Sequence, residues 1–271
     1  MTAPSVPVRV TISPDHRVPL GAVRDTLAIA QRNLIAYRRV PQLLVFSTIQ
    51  PVLFVLLWRY VFGGAIRLPG RIPYVDFLMP GIFVQTVVFG AIATAIGLAT
   101  DLKSGLMERF HALPMARSAV LTGRTIADLA RNVFVVILMM VVGYLIGWRI
   151  HTNAVSLLGA GLLILLFGYA MSWLFAVVGL AVGDPETAQA AAFPVLAPLV
   201  FASSAFVPEA SMPGWLQVFA RHQPVSVVSS AVRALTLGGP TASDVAQAVA
   251  WCVGILAVSA PLAVRLFRRA V

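Results

Sequence analysis

The chain has 271 residues, of which 59% are hydrophobic and only 11% are charged. This composition excludes an ordinary soluble domain, in which roughly a quarter of the residues are charged. The formal net charge is +10, but the basic residues lie in clusters between long apolar runs. That placement argues against nucleic-acid binding and indicates orientation in a membrane and contact with anionic headgroups.

Long runs without Asp, Glu, Lys or Arg divide the sequence. A transmembrane helix needs about 20 mostly apolar residues, and in lipid the backbone must satisfy its own hydrogen bonds. The runs are Val40–Trp58, Phe77–Thr100, Asn132–Trp148, Thr152–Gly183, Thr187–Pro208 and Val245–Val264. We therefore predict an all-α polytopic membrane protein with six transmembrane helices, in a single domain of residues 20–271.

The N-terminal part is expected to lie outside the bilayer core. Residues 1–19 read as a disordered cytoplasmic tail. Within residues 20–40, apolar side chains recur at steps of three and four, while Arg32, Arg38 and Arg39 occupy other faces. This pattern predicts a basic amphipathic helix that lies in the membrane interface.

Flanking polar residues and turn signals place the spans. The first four are expected at about Gln42–Phe62, Val75–Thr100, Ala119–Trp148 and Ala154–Val182, and the fifth ends at about Phe206. The third begins with polar turns that hold Arg124, Asp128 and Arg131, so we expect its cytoplasmic end to project beyond the bilayer or to snorkel. Between the fourth and fifth, Gly183–Glu186 is typical of a helix stop followed directly by a helix start.

The stretch 208–240 before the last span carries few charges. Its apolar residues form one face on each of two short segments, neither of which is long enough to cross a bilayer. We predict external re-entrant helices here. Thr241 and Asp244 then form a capping box at the start of the sixth span, which ends at Arg265.

Charge predicts the orientation of the chain. With six spans, 14 of the 20 Lys and Arg residues fall on one side of the membrane. By the positive-inside rule, that side and both termini are cytoplasmic. We expect a multi-pass protein of the plasma (inner) membrane.

Motifs for catalysis or cofactor binding are absent from the sequence. There is no Gly-x-x-x-x-Gly-Lys phosphate loop, no His-Glu-x-x-His, no pair of cysteines and no Gly-x-Ser-x-Gly. We therefore expect no catalytic residue, no metal site and no cofactor bound by this chain. The central parts of the spans are expected to hold no ionisable side chain, so any uphill transport must draw its energy from a partner.

The cytoplasmic segment 101–117 holds a short amphipathic pattern. Lys103 lies off its apolar stripe, as do the charged residues that follow it, and a proline ends it. The stripe and its stop consist of Leu102, Leu106, Phe110, Leu113 and Pro114. Such a helix on the basic side suits docking onto a soluble partner, and the alternative is an ordinary loop helix packed against the headgroups.

Several short motifs resemble the ABC-2 family of ABC-transporter permeases. They are Met107-Glu-Arg-Phe-His-Ala-Leu-Pro-Met-Ala-Arg117 and Leu121-Thr-Gly-Arg-Thr-Ile-Ala-Asp128. The external stretch Met212–Gln217, with His222-Gln-Pro224 and Arg233, is similar to the daunorubicin-resistance-type drug-exporter branch. The resemblance covers nearly the whole chain.

The resemblance implies a non-catalytic permease subunit that works in a larger complex. A second permease copy, identical or homologous, would pair with it, and two copies of a separate ATPase would bind ATP and Mg²⁺. Segment 101–117 would be the coupling helix, with polar contacts from Glu108 and Arg109. Residues 20–40 would form the connecting helix that also meets the ATPase.

The resemblance further implies that the second and fifth spans line the export path. The expected lining is Met79, Phe83, Val84, Val87, Phe193, Leu196, Val200 and Phe201. Such a surface suits an amphiphile, a lipid or an apolar drug, and it offers no acid to pair with a cation. We therefore expect an ATP-driven exporter of a hydrophobic or amphipathic compound. A permease for polysaccharide or surface-lipid conjugates, or an energy-independent assembly or signalling protein, is the alternative.

Overall fold

The computed structural model describes residues 26–27, 30–31, 35, 41–64, 66, 72–105 and 117–270. Its short N-terminal pieces are helical, and eight α-helices follow in the longer described parts. They are α1 Pro41–Leu56, α2 Tyr74–Lys103, α3 Arg117–Leu145, α4 Ala154–Val182, α5 Pro185–Phe201, α6 Gly214–His222, α7 Pro224–Leu237 and α8 Thr241–Ala270. A π-helical turn, Leu57–Phe62, extends α1, and a 3₁₀ turn, Glu209–Ser211, precedes α6. The described residues contain no strand, which confirms the predicted all-α class for them.

Four helices are long and apolar enough to cross a membrane: α2, α3, α4 and α8. The apolar part of α1, Thr48–Phe62, and helix α7 are shorter. Helix α5 has 17 residues and contains Pro194 and Pro198. The chain is therefore a polytopic membrane protein, and the count of six spans stays a prediction.

The long helices alternate in direction between two ends of the bundle. At one end, Lys103 Nζ of α2 lies 2.6 Å from Asp184 Oδ1 in the α4–α5 turn. At the other end, the His151 amide of the α3–α4 turn donates to Thr236 O of α7 at 3.0 Å. We call these the Lys103 end and the Arg233 end. Phe267 of α8 packs with Leu98 of α2 and Leu121 of α3, so the C-terminal part of α8 and the start of α3 share the Lys103 end.

The core forms around α2, which is buried along most of its length. Its large side chains pack against α4, where Ile164, Phe167 and Met171 are buried. The two helices come so close that a Cβ at Gly179 would overlap the backbone of Ala95. Between apolar helices in lipid, such close packing rather than exclusion of water supplies the attraction.

The predicted turn between the fourth and fifth spans is confirmed. Gly183 adopts φ +72° and its amide donates to Gly179 O, which ends α4. Asp184 Oδ2 accepts from the amide and the hydroxyl of Thr187, each at 3.0 Å, which caps α5. A hydrogen bond from the Lys103 ammonium, together with these donors, lowers the pKa of Asp184 to about 2. The turn thus joins α4, α5 and the end of α2.

Two spans end earlier than the sequence predicted. Helix α3 ends at Leu145 rather than at Trp148, because Gly147 turns back at φ +103° and the Trp148 amide donates to Gly143 O at 2.9 Å. Helix α5 ends at Phe201 rather than at about Phe206. Residues 202–207 fold back against α7, where Ser226 Oγ accepts from the Ser204 amide at 2.9 Å.

Candidate functional site

A groove of about 300 Å³ lies between α1, α2, α3 and α5. Its wall mixes apolar side chains, such as Phe89 and Val135, with polar ones. The polar side chains are Gln50, Gln85, Thr86, Arg131, Asn132 and Gln189. Gln50 of α1 and Gln189 of α5 are exposed, so the groove opens on the side of α1 and α5.

Helices α2 and α3 meet along a polar ladder that forms the back of the groove. The rungs on α2 are Gly90, Thr94, Gly97 and Asp101, and those on α3 are Arg131, Asp128 and Arg124. Steps of three and four residues keep each set on one helix face, and the antiparallel direction brings the two sets together in reverse order. The ladder runs from mid-bundle to the Lys103 end.

At the mid-bundle end of the ladder, Arg131 is hydrogen-bonded to the α2 backbone. Arg131 Nη2 donates to Gly90 O at 2.7 Å and to Asn132 Oδ1 at 3.2 Å. A Cβ at Gly90 would lie 2.8 Å from Nη2. The missing side chain of Gly90 therefore makes the space in which the guanidinium lies.

Closer to the Lys103 end, the ladder contains one hydroxyl–carboxylate hydrogen bond and one ion pair. Thr94 Oγ1 donates to Asp128 Oδ2 at 2.6 Å, and Arg124 Nη1 lies 3.0 Å from Asp101 Oδ2. A Cβ at Gly97 would overlap the Arg124 guanidinium. Thus Gly90 and Gly97, seven residues apart on α2, leave space for Arg131 and Arg124, which are seven residues apart on α3.

The projection of the start of the third span beyond the bilayer, or its snorkelling, stays a prediction. Within the bundle, Asp128 and Arg131 are 1% and 6% exposed, and Arg131 lies midway along α3. Their burial is tolerated because α2 supplies a hydroxyl, a carbonyl and two glycine gaps. The sequence signal that was missed is the matching heptad spacing of Gly90 and Gly97 with Arg124 and Arg131.

The eight residues predicted to line the export path differ in their exposure. Phe193 and Phe201 on α5 are 57% and 50% exposed. The other six are buried within the protomer: Met79, Phe83, Val84, Val87, Leu196 and Val200. The Phe83 ring, for example, packs edge-on against Trp148 with centroids 5.3 Å apart. None of the eight is among the described residues that line the groove, and their role in the path stays a prediction.

Most residues assigned to ATPase contact lie outside the described residues. These are Leu106, Glu108, Arg109, Phe110, Leu113 and Pro114 of the coupling segment, and Arg32, Arg38 and Arg39 of the connecting helix. Leu102 is described, and it packs half-buried against the apolar cluster at the Lys103 end. The ion pairs Lys103–Asp184 and Arg124–Asp101 join the end of α2 to the α4–α5 turn and to α3.

At the Arg233 end, the two predicted short helices are present as α6 and α7. Helix α7 is buried against the bundle, whereas α6 exposes Trp215. Arg233 Nε donates to Phe77 O at 2.9 Å, and its Nη2 donates to the carbonyls of Ser204 and Ala205 at 2.5 and 3.0 Å. The guanidinium also lies 3.8 Å above the Phe77 ring. One side chain thus fastens α7 to α2 and to the end of α5.

The sequence matches a family model and several known proteins. Residues 24–237 match the ABC-2 type transporter family. The chain is 34% identical over 91% of its length to a daunorubicin resistance ABC transporter permease protein, DrrB1, of Streptomyces coeruleorubidus, of which 87% is covered. It is 29% identical over 92% of its length to a probable doxorubicin resistance ABC transporter permease protein, DrrC, of Mycobacterium tuberculosis, of which 90% is covered.

A more distant relative is a putative transport permease, ycf38, of Cyanophora paradoxa, which is 24% identical over 79% of this chain and is itself covered over 74%. The match of the family model to most of the chain agrees with the apolar helices and with the motifs at residues 107–128 and 212–224. The chain belongs to the ABC-2 type transporter family and is a membrane-spanning permease.

Proposed function

We propose that this permease exports a hydrophobic or amphipathic compound, such as a drug, with energy from ATP hydrolysed by a separate ATPase subunit. The observation that carries the proposal is the similarity, over nearly the full length of both chains, to a permease named for daunorubicin resistance. The chain would cross the plasma membrane six times, with both termini cytoplasmic and α6 and α7 re-entering from outside.

The working unit would contain two permeases, identical or homologous, and two ATPases that hold ATP and Mg²⁺. Segment 101–117 would dock in a groove on each ATPase, with Glu108 and Arg109 making the polar contacts. The connecting helix of residues 20–40 would make a second contact. Two ion pairs, Lys103–Asp184 and Arg124–Asp101, support this role, because they tie both flanks of the segment to the bundle.

Movement of the coupling segment would reach the groove through the α2–α3 ladder. Asp101, Thr94 and Gly90 of α2 bond α3 side chains at three points along the helix. Because of these three contacts, α2 and α3 would tilt as a unit. ATP-driven closure of the ATPases would then bias the permease between two packings, one open inward and one open outward. The exposed Phe193 and Phe201 would face the second permease along the path.

The first experiment is to purify the complex from native membranes in mild detergent and weigh it intact. We expect a stoichiometric ATPase, and one or two permease masses would distinguish a homodimer from a heterodimer. A lone chain under several gentle conditions would refute the coupled transporter and favour an energy-independent membrane protein.

A charge reversal tests the coupling segment itself. Glu108→Arg is expected to abolish ATP-dependent daunorubicin export from cells while leaving the permease in the membrane. Glu186→Arg is the matched control, because Glu186 is an exposed acid at the Lys103 end, near the described start of the segment. Wild-type export by the Glu108 variant would show that this residue has no part in coupling.

A further inference from the structure

One nitrogen of the Arg233 guanidinium has no hydrogen-bond partner. Nε and Nη2 donate to three carbonyls, whereas Nη1 donates to no atom in the described part of the chain. Unlike Arg131 Nε, this nitrogen is not cut off from solvent. Arg233 Nη1 therefore offers two N–H donors to a molecule outside the protein.

Arg233 lines an open pocket of about 420 Å³ at the Arg233 end of the bundle. Ser230 of α7 and Glu209 of the 3₁₀ turn line the same pocket. Ser230 lies one helical turn before Arg233, on the same face of α7, and within the described ranges its hydroxyl has no hydrogen-bond partner. The pocket thus brings together a cationic donor, a free hydroxyl and a carboxylate.

The two opposite charges that line the pocket do not pair with each other. Glu209 Oε2 lies 3.3 Å from Arg221 Nε, and among the residues that the structure describes no carboxylate oxygen lies within 4 Å of the Arg233 guanidinium. Glu209 Oε1 likewise has no partner there. A simple anion would be repelled by Glu209, and a simple cation by Arg233. A ligand with both charges satisfies both side chains.

The size of the pocket and its apolar wall limit the kind of zwitterion. A volume of about 420 Å³ equals about fourteen water molecules, which accommodates a phosphate and a short ammonium arm but not acyl chains. The wall also contains Phe77 and Ile72, and Ile72 is 50% exposed. The ligand is therefore expected to carry an apolar part that continues out of the pocket.

Exposed aromatic side chains at the same end of the bundle indicate where that apolar part lies. Tyr144, near the end of α3, is 62% exposed, and Trp215 on α6 is 75% exposed. Exposed Tyr and Trp residues are enriched at the level of the lipid head groups in membrane proteins. The pocket therefore lies close to the level at which phospholipids carry their phosphates.

We propose that this pocket binds the head group of a zwitterionic phospholipid with a primary ammonium, as in phosphatidylethanolamine. Arg233 Nη1 and the Ser230 hydroxyl donate to phosphate oxygens, and Glu209 Oε1 accepts from the ammonium. The glycerol and the first chain carbons lie along Ile72 and Phe77. The proposal concerns binding by the permease alone, so it depends neither on export nor on the ATPase.

The test measures the thermal unfolding midpoint of the purified permease in an uncharged detergent while short-chain lipids are added. We expect dihexanoyl phosphatidylethanolamine to raise the midpoint in a saturable way. Dihexanoyl phosphatidylglycerol has the phosphate but no ammonium, and it should need about tenfold more lipid for the same rise. An equal response to both lipids, or no response to the ethanolamine lipid, would overturn the proposal.

Variants at the pocket rim separate binding from folding. Glu209→Gln should weaken binding of the ethanolamine lipid about tenfold, whereas Arg221→Gln breaks the same ion pair but keeps the carboxylate and should keep the affinity. Ala210→Phe fills the pocket from an exposed position and should abolish the response. Ala242→Phe, exposed at the start of α8 and outside the pocket, is its control. Equal losses in the Glu209 and Arg221 variants, or a response that survives Ala210→Phe, would contradict the proposal.

A soluble molecule with the same charges distinguishes a lipid from a free zwitterion. O-phosphoethanolamine has the phosphate and the ammonium but no chains. Because contact of two or three CH₂ groups with Ile72 and Phe77 is worth about tenfold or more in affinity, this compound should bind that much more weakly than the dihexanoyl lipid. Equal half-saturating concentrations would identify a free zwitterion as the ligand and refute the assignment to a lipid.

Discussion

Two arginines on the inner faces of this bundle have opposite surroundings. Arg233, half-buried at one end, donates to three carbonyls and stacks on Phe77. Arg131, more deeply buried at mid-bundle, bonds one carbonyl and one amide through a single nitrogen. The side chain that is withdrawn further from solvent has fewer partners. Burial alone therefore does not identify a structural clamp; the number of chain segments that one side chain joins does.

The neighbouring glycines differ in the same way. At the Arg233 end, a Cβ on Gly81 would overlap the backbone of Ala205, the residue whose carbonyl accepts from Arg233. In the ladder, a Cβ on Gly97 would overlap only the end of the Arg124 side chain. Backbone against backbone cannot yield, whereas a long side chain can change rotamer. We therefore regard the Arg233 end as the fixed part of the bundle and the ladder as its adjustable part, in which side chains can change rotamer while α2 and α3 stay joined.

The largest effect is expected from removal of the clamp. Arg233→Leu leaves three carbonyls without their donor and is predicted to lower the free energy of unfolding by about 3 kcal/mol or more. Chemical denaturation in mixed micelles measures the loss. Arg221→Gln is the control, since Arg221 is an exposed residue of α6 paired with Glu209, and it should change stability by no more than about 1 kcal/mol. Equal losses of unfolding free energy in the two variants would show that Arg233 is not a structural clamp.

A smaller effect is expected from filling the glycine gaps. Gly81→Ala should cost about 1–3 kcal/mol, because the helix must move away from Ala205. Gly97→Ala should cost less, because Arg124 can give way. Gly254→Ala on α8 meets no atom within 4 Å and should stabilise by about 0.5–1 kcal/mol through helix propensity. The order of the three thermal midpoints checks the assignment of fixed and adjustable parts, and a larger loss for Gly97 than for Gly81 would reverse it.

The smallest effect concerns the exposed cap at the Lys103 end. The pKa of Asp184 is lowered from 3.8 to about 2, chiefly by Lys103, so its carboxylate stabilises the folded state fully above pH 4. That contribution is lost as the pH falls from about 4 towards 2. Asp184→Asn should flatten the stability curve in this window. Asn153→Ala removes the uncharged cap of α4, in which Asn153 accepts from the Ser156 amide at 2.8 Å, and it should lower stability without changing the pH slope.

Local signals were sufficient to locate most helices. The fourth span was predicted at Ala154–Val182, the bounds that the structure gives, because an unbroken apolar run ends at a glycine stop. The two short helices before the last span were predicted because each carries a one-sided apolar pattern. These features depend on residues close together in the chain, and a sequence displays them directly.

The groove was missed for a physical reason. Gln50, Gln85 and Asn132 interrupt apolar runs on three different helices, and each by itself is an unremarkable polar residue. Only packing brings them beside Arg131. A search for uncharged polar side chains inside the spans would have found these residues, but it would not have shown that they share one cavity.

By itself, the sequence determined the class of this protein, its helices and its family, because length, hydropathy and short motifs are properties of the linear chain. The tertiary structure alone decided where the charges of α3 lie. Arg131 enters the bundle because Gly90 on the facing helix leaves space for its guanidinium. That space exists only once α2 and α3 have packed together, so the sequence of either helix does not reveal it.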